Sequence, residues 1–123
     1  MLYSPKDLYK KLLGIKGERL AQKFLTKKGY KIIEKNYKNK FAEADLIALY
    51  GDFLVFIEVK TRTDTQYGNP REAVTKSKQD KYVALAEYYL LSHKEYRDKN
   101  VRFDVIEVLA DEVFHLEGAF ICE

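Results

Sequence analysis

Glu43-Ala44-Asp45-Leu46-Ile47-Ala48-Leu49-Tyr50-Gly51-Asp52-Phe53-Leu54-Val55-Phe56-Ile57-Glu58-Val59-Lys60 is the stretch on which the fold turns. Two strand-like runs, 43–50 and 53–60, flank Gly51-Asp52, and a glycine at the first central position suits the type II′ turn that joins antiparallel neighbours. A hairpin is therefore expected. Phe53 to Ile57 is apolar at every position, as in a central strand buried on both faces, and charge enters only at its end, in Glu58 and Lys60.

A two-residue loop sets Tyr50 opposite Phe53. Counting outward from that pair, Asp45 falls across from Glu58 and Glu43 across from Lys60, and strand alternation puts all four on one face. Facing side chains have Cβ atoms only about 5 Å apart, so two carboxylates at this register repel and call for a divalent cation. Magnesium, or manganese in its place, takes oxygen ligands, needs only one or two carboxylates, and leaves its other positions to water and phosphate oxygens. Lys60 would place an ammonium beside that cation, able to orient a water or stabilise charge developing on a transferring phosphoryl group. Taken alone, the Glu58/Lys60 pair reads most simply as a strand emerging into solvent. Asp45 at the matching register turns the reading toward a site.

Working outward, Leu13, Gly17, Leu20, Ala21, Phe24 and Leu25 keep a helical period through Tyr9 to Lys28, and Gly29 stands where a helix stops. On that helix Lys16, Arg19, Lys23 and Lys27 gather on one side, whereas Glu18 lies at the flank of the apolar stripe. Two roles stay open for it: reaching a metal through water, or hydrogen-bonding a nearby backbone group or lysine. Tyr30 to Glu34 reads as a short strand, Arg71 to Ser92 as a second long helix, and Val101 to Leu109 and Val113 to Leu116 as closing strands. This order predicts an α/β or α+β domain with a mixed sheet flanked by helices.

A chain of 123 residues, 46% hydrophobic and 33% charged, suits one globular domain spanning residues 1–123. The net charge of +3 points only weakly to nucleic acid. Lys35, Lys38 and Lys40 precede the hairpin, Arg62 follows it, and Lys76, Lys78 and Lys81 open the second helix. Of these, Lys38, Lys40, Arg62, Lys76 and Lys78 are the candidate nucleic-acid contacts, with a solvated surface as the equal alternative. The lone Cys122 offers no disulfide or zinc site, and no apolar run has signal-peptide or membrane-spanning length, so a cytoplasmic protein without membrane contact is expected. His93 and His115 have no ligand spacing, and Tyr82, Tyr88 and Tyr89 fall at packing positions on the helix. No glycine-rich phosphate loop, Ser/His/Asp set or HExxH motif is present.

Asp45 followed by Glu58-Val59-Lys60 resembles the PD-(D/E)xK signature of restriction-endonuclease-like nucleases, here without its proline. The wider pattern is Gly14-Ile15-Lys16-Gly17-Glu18, Asn36-Tyr37, Glu43-Ala44-Asp45-Leu46-Ile47-Ala48, Phe56-Ile57-Glu58-Val59-Lys60-Thr61-Arg62 and Arg102-Phe103-Asp104-Val105, with Lys78 and Ala119-Phe120. Over nearly the whole chain it resembles the bacterial YraN-like family, whose nuclease label rests on fold and motif. The resemblance implies a restriction-endonuclease-like fold, Asp45 and Glu58 as metal ligands with the Val59 carbonyl, and Lys60 assisting the attacking water. It also likens Glu18 to a helix carboxylate of archaeal Holliday-junction resolvases. Ala42-Glu43-Ala44-Asp45 departs from the usual Gly-Glu-Ile-Asp, but keeps every acidic position.

The expected activity is metal-dependent hydrolysis of DNA phosphodiesters, on branched or damaged duplexes. A non-catalytic nucleic-acid-binding protein is the alternative, and an enzyme of small phosphorylated metabolites the third class. Cutting two strands requires two reaction centres, so a homodimer is also expected.

Overall fold

The computed structural model describes residues 4–63 and 74–120. Ser4 caps the first helix, α1 (Pro5–Lys27), by accepting from the Asp7 amide at 3.1 Å, and Pro5 occupies the first turn, where a missing N–H costs nothing. The helix thus starts four residues before the periodic pattern shows it. At its other end the amides of Gly29 and Tyr30 return to the carbonyls of Thr26 and Leu25, the Schellman arrangement expected beside Gly29.

Strands β1 (Lys31–Lys38), β2 (Glu43–Tyr50) and β3 (Phe53–Arg62) follow, then helix α2 (Lys76–Ser92), a short 3-10 turn at Lys94–Tyr96, and strands β4 (Asn100–Leu109) and β5 (Glu112–Leu116). The sheet has five strands in the order β1-β2-β3-β4-β5, with β3 and β4 parallel and the other neighbours antiparallel. The mixed sheet and its two flanking helices make an α/β fold consistent with the restriction-endonuclease-like architecture. The hairpin has the expected register: Tyr50 faces Phe53 across a turn in which Gly51 takes a φ of +55°.

Two expectations are corrected. Strand β1 runs four residues beyond Glu34, because a bulge at Ile33 and a left-handed Asn36 (φ +51°) break the alternation by which a strand is read. Helix α2 begins at Lys76 rather than Arg71, since the Thr75 hydroxyl accepts the Lys78 amide and caps the helix there. Arg71 to Ala73, and Cys122, lie outside the described residues.

The sheet separates two apolar layers. Ala21 and Leu25 of α1 pack on Leu46, Ala48, Val55, Ile57, Ile106 and Val108. Leu85, Ala86 and Tyr89 of α2 pack on Ile47, Leu54, Phe56 and Phe103. Strand β3 is buried on both faces, as its unbroken apolar run predicts. The closest approach of α1 to the sheet is at Gly17, where a Cβ would come within 2.0 Å of the Thr61 hydroxyl. Only a glycine allows this contact, and it sets the next residue, Glu18, against the end of β3.

Gly17→Ala should therefore lose stability, by about 1–3 kcal/mol for overpacking, despite alanine's better helix propensity. Urea titration should show the loss, and adding Thr61→Ala should recover most of it. A Gly17→Ala protein more stable than the parent would show that the approach is looser than described.

Candidate active site

The ladder between β2 and β3 ends at Leu46 opposite Ile57, although β2 stays paired to β1 as far as Glu43, and β3 to β4 as far as Arg62. The two central strands therefore part at the level of Asp45 and Glu58 and leave a fork. Leu46 and Ala48 pack on the α1 side whereas Ala44 packs on the α2 side, so the alternation slips at Asp45. Its carboxylate enters the fork and accepts the Val59 amide at 2.7 Å, replacing the backbone carbonyl the parted strand no longer offers. In a strand the N–H and C=O of one residue face the same neighbour, so the Val59 carbonyl also opens toward the fork. Asn36 of β1, bracketed by the Lys35–Leu46 and Tyr37–Ala44 pairs, lies opposite Asp45.

This corrects the expectation that Glu43, Asp45, Glu58 and Lys60 share one face. Glu58 and Lys60 project toward α2, where the Lys60 ammonium is 2.9 Å from Glu58 Oε1 and the Lys78 ammonium 3.5 Å from the same oxygen. Asp45 lies in the plane between the strands, and Glu18 comes from α1 on the other side. Two opposed carboxylates are avoided because the ladder opens before they would face each other.

The charges remain in electrostatic contact all the same. Burial raises the Asp45 pKa to about 6 against the opposing pull of the Val59 amide, and Glu18, Glu58 and Glu43 raise it further. Burial also pushes the Glu58 carboxyl up, but the Lys60 ammonium, the nearby Tyr82 hydroxyl and the charge of Lys78 outweigh it and hold that pKa below the usual range. Tyr82 is held protonated well above the ordinary phenol value, by burial and then by Glu58. Lys78 and Tyr82, one helical turn apart, thus both address Glu58. The sequence pattern places Tyr82 among packing residues and Lys78 among candidate nucleic-acid contacts, and only the crossing of α2 over β3 reveals their shared partner.

Among the described residues, Glu58 Oε2 is buried and has no hydrogen-bond partner. An unsatisfied buried charged oxygen costs on the order of 1–3 kcal/mol or more. The contrast with the fully buried Asp104 carboxylate is instructive. Asp104, 2% exposed, accepts from Arg102 at 2.9 Å through each of Nε and Nη2, from His115 Nε2 at 2.7 Å and from the Gly118 amide at 3.0 Å. Lys28 lies 2.9 Å from the other ring nitrogen of His115. Asp104 is saturated and ties β4 to β5, so His115 serves packing, as the sequence suggests, through a buried pair that its spacing does not betray.

Between α1 and the end of β3 runs an open groove of about 440 Å³ lined by Lys10, Gly14, Glu18, Val59, Thr61 and Thr63 among others. Of the candidate nucleic-acid contacts, Lys38 and Lys40 are exposed at the β1–β2 loop. Lys76 is exposed and pairs with Asp80 at 3.1 Å, whereas the Arg62 Nε is committed to Glu107 at 3.0 Å in a pair that is largely buried. Among the described residues, no three His, Cys, Asp or Glu side chains converge as a ready metal cage.

The sequence profile of UPF0102, described as an uncharacterised protein family, matches residues 17–108. The chain belongs to UPF0102. It is 46% identical over 122 residues to a UPF0102 protein of Caldanaerobacter subterraneus, covering 94% of this chain and 99% of that one. It is also 47% identical over 109 residues to one from Thermodesulfovibrio yellowstonii, covering 88% and 95%, and 45% identical over 111 residues to one from Clostridium perfringens, covering 90% and 87%. The UPF0102 profile spans Gly17, Glu18, the fork and most of β4, the segments whose geometry is described above.

The raised Asp45 pKa has a consequence for stability. The folded state holds its proton more tightly than the unfolded chain, whose carboxyl titrates near the ordinary 3.8, so the cost of ionisation is absent below about pH 3 and complete above about pH 7. Asp45→Asn keeps an oxygen for the Val59 amide and removes the charge. In metal-free buffer at pH 7.5 it should stabilise the protein by about 1–3 kcal/mol, allowing for partial solvent screening, and the gain should vanish by about pH 3. Thermal melts at the two pH values check this, and a destabilised variant at pH 7.5 would contradict it.

Proposed function

We propose that this UPF0102 protein is a metal-dependent nuclease that hydrolyses DNA phosphodiester bonds at the β2–β3 fork. The observation that carries the reading is the buried Glu58 Oε2, unpartnered among the described residues, together with the raised pKa of Asp45. Charge held in this state lowers stability, and a fold keeps it where a ligand supplies the missing partner. The donors at the fork are all oxygen, namely the Asp45 and Glu58 carboxylates and the Val59 carbonyl, and they fit magnesium or manganese, which need few protein ligands. Such an ion, when bound, supplies Lewis-acid polarisation of the phosphate and a more acidic water.

The protein groups have distinct tasks. Asp45 must lose its proton to act as a ligand, so activity at subsaturating cation should rise as pH passes through about 6. Lys60 occupies Oε1 of Glu58 and leaves Oε2 free, so it can hold the carboxylate in position and present a positive charge to a phosphate oxygen or an incoming water. Lys78 and Tyr82 brace Glu58 from α2. Glu18, at the edge of the groove beside Val59, can orient a water toward the phosphate. The exposed Lys38 and Lys40 are placed to contact the DNA backbone without regard to sequence. The Arg62–Glu107 pair makes Arg62 a support for the end of β3 in this reading.

Lys60→Ala should cut DNA about a hundredfold more slowly, the scale of losing one preorganised electrostatic group, while magnesium or manganese still binds. Asp45→Ala should lose both metal binding and cleavage. Plasmid nicking and calorimetric metal titration, run with and without the cation, check these outcomes. Cleavage by the parent that persists unchanged in Asp45→Ala, or that needs no divalent cation, would overturn the reading.

A further inference from the structure

Away from the fork, the β1–β2 loop carries a feature that the catalytic groups leave unused. Phe41 is 40% exposed and Tyr88, on α2, is 41% exposed, and their ring centroids lie 6.1 Å apart. The Lys40 ammonium sits 5.2 Å from the Phe41 ring centre and 5.8 Å from that of Tyr88. Single exposed apolar side chains are ordinary, but two aromatic rings sharing one lysine at the surface are not scattered.

The loop is held in this position. The Asn39 carboxamide donates to the Tyr37 hydroxyl at 3.2 Å and to the Leu85 carbonyl of α2 at 3.3 Å, and it accepts the Phe41 amide at 3.0 Å. A further bond from the Asn39 amide to the Ala42 carbonyl closes the turn. The loop therefore presents Phe41 outward against Tyr88 instead of folding it into the adjacent core. Lys81, two helical turns before Tyr88, shares its side of α2 and is exposed, as is Lys38 at the end of β1.

The patch lies within reach of the fork. Phe41 precedes Asp45 by four residues, about 13 Å of extended chain at most. Tyr88 lies six residues beyond Tyr82, which touches Glu58, a rise of about 9 Å along the helix. Spans of about 9 to 13 Å correspond to roughly three to four nucleotides at the ~3.4 Å stacked spacing of a single strand.

We propose that Phe41 and Tyr88 form a stacking subsite for an unpaired base of the DNA strand whose phosphate lies at the fork, with Lys38, Lys40 and Lys81 along its backbone. Every base has a π face, so stacking recognises single-stranded character and not sequence, and cationic side chains beside aromatic rings complete such platforms. A paired base is buried in its duplex and cannot use the subsite. The inference rests on the nuclease reading and narrows its substrate to DNA with unpaired bases a few nucleotides from the cut, as at a flap, fork or junction.

The test is binding of the full chain, without divalent cation, to a fluorescein-labelled 15-nucleotide oligothymidine and to a blunt duplex of the same length, measured by anisotropy at fixed salt. The variant is Phe41→Leu with Tyr88→Leu, which retains apolar volume and removes the rings, and Phe41→Tyr with Tyr88→Phe is the conservative control. The leucine variant should melt within a few degrees of the parent, bind the single strand about tenfold or more weakly, and bind the duplex within twofold of the parent. The control should bind as the parent does. Single-strand binding unaffected by the leucines, equal loss on both DNAs, or a parent with no preference for the single strand would each overturn the subsite. Because no cleavage is read, a parent that binds in this way yet never cuts DNA would refute the nuclease reading and leave the subsite standing.

Discussion

The parting of β2 from β3 at Asp45 is the feature on which the site depends. An antiparallel pair held through residues 45 and 58 would place two carboxylates face to face over a few ångströms, a repulsion that the sheet avoids by opening. Opening leaves the Val59 amide without its ladder partner, and the Asp45 carboxylate accepts it at 2.7 Å. One side chain thus relieves two problems. The same movement exposes a strand edge in the middle of the sheet, where a carboxylate, a carbonyl and groups from both faces come together.

That fork needs support from both helices. Gly17 lets α1 touch Thr61 and so sets Glu18 against the end of β3, while Lys78 and Tyr82 of α2 address Glu58. The supports do not complete the site. Asp104 shows what completion looks like in this fold: a buried carboxylate with its acceptors filled by arginine, histidine and a backbone amide. Among the described residues Glu58 keeps an unpartnered oxygen, and Asp45 keeps its proton to about pH 6. A fold able to satisfy one acidic residue so fully leaves the other pair unsatisfied, a disposition characteristic of a ligand site.

Much of this was legible in the sequence because hydrophobic period and turn chemistry act locally. The apolar run Phe53 to Ile57 announces a central strand, Gly51-Asp52 a hairpin, and the stripe from Leu13 to Leu25 a packed helix. The misjudged boundaries have local causes too: Ser4 and Thr75 cap their helices through single side-chain bonds, and the bulge at Ile33 with the left-handed Asn36 hides the second half of β1. Asp45, Glu58, Lys60 and Glu18 could be singled out as residues, but not their arrangement. Register counting assumes an unbroken ladder, and the departure from it is what turns Asp45 into the plane of the sheet. The partners of Glu58 on α2, and the buried Asp104–His115 pair, depend on packing between elements distant in sequence, which no period reports.

We propose that the fork holds a half-buried carboxylate, Asp45, prepared for a cation. Carbon-13 detected NMR titration of the Asp45 carboxyl, in the metal-free protein and again with saturating magnesium, tests it most directly. The metal-free midpoint should lie near pH 6, and magnesium should move it clearly downward, because a bound cation favours the ionised form. A midpoint at the ordinary aspartate value, unchanged by magnesium, would contradict the account.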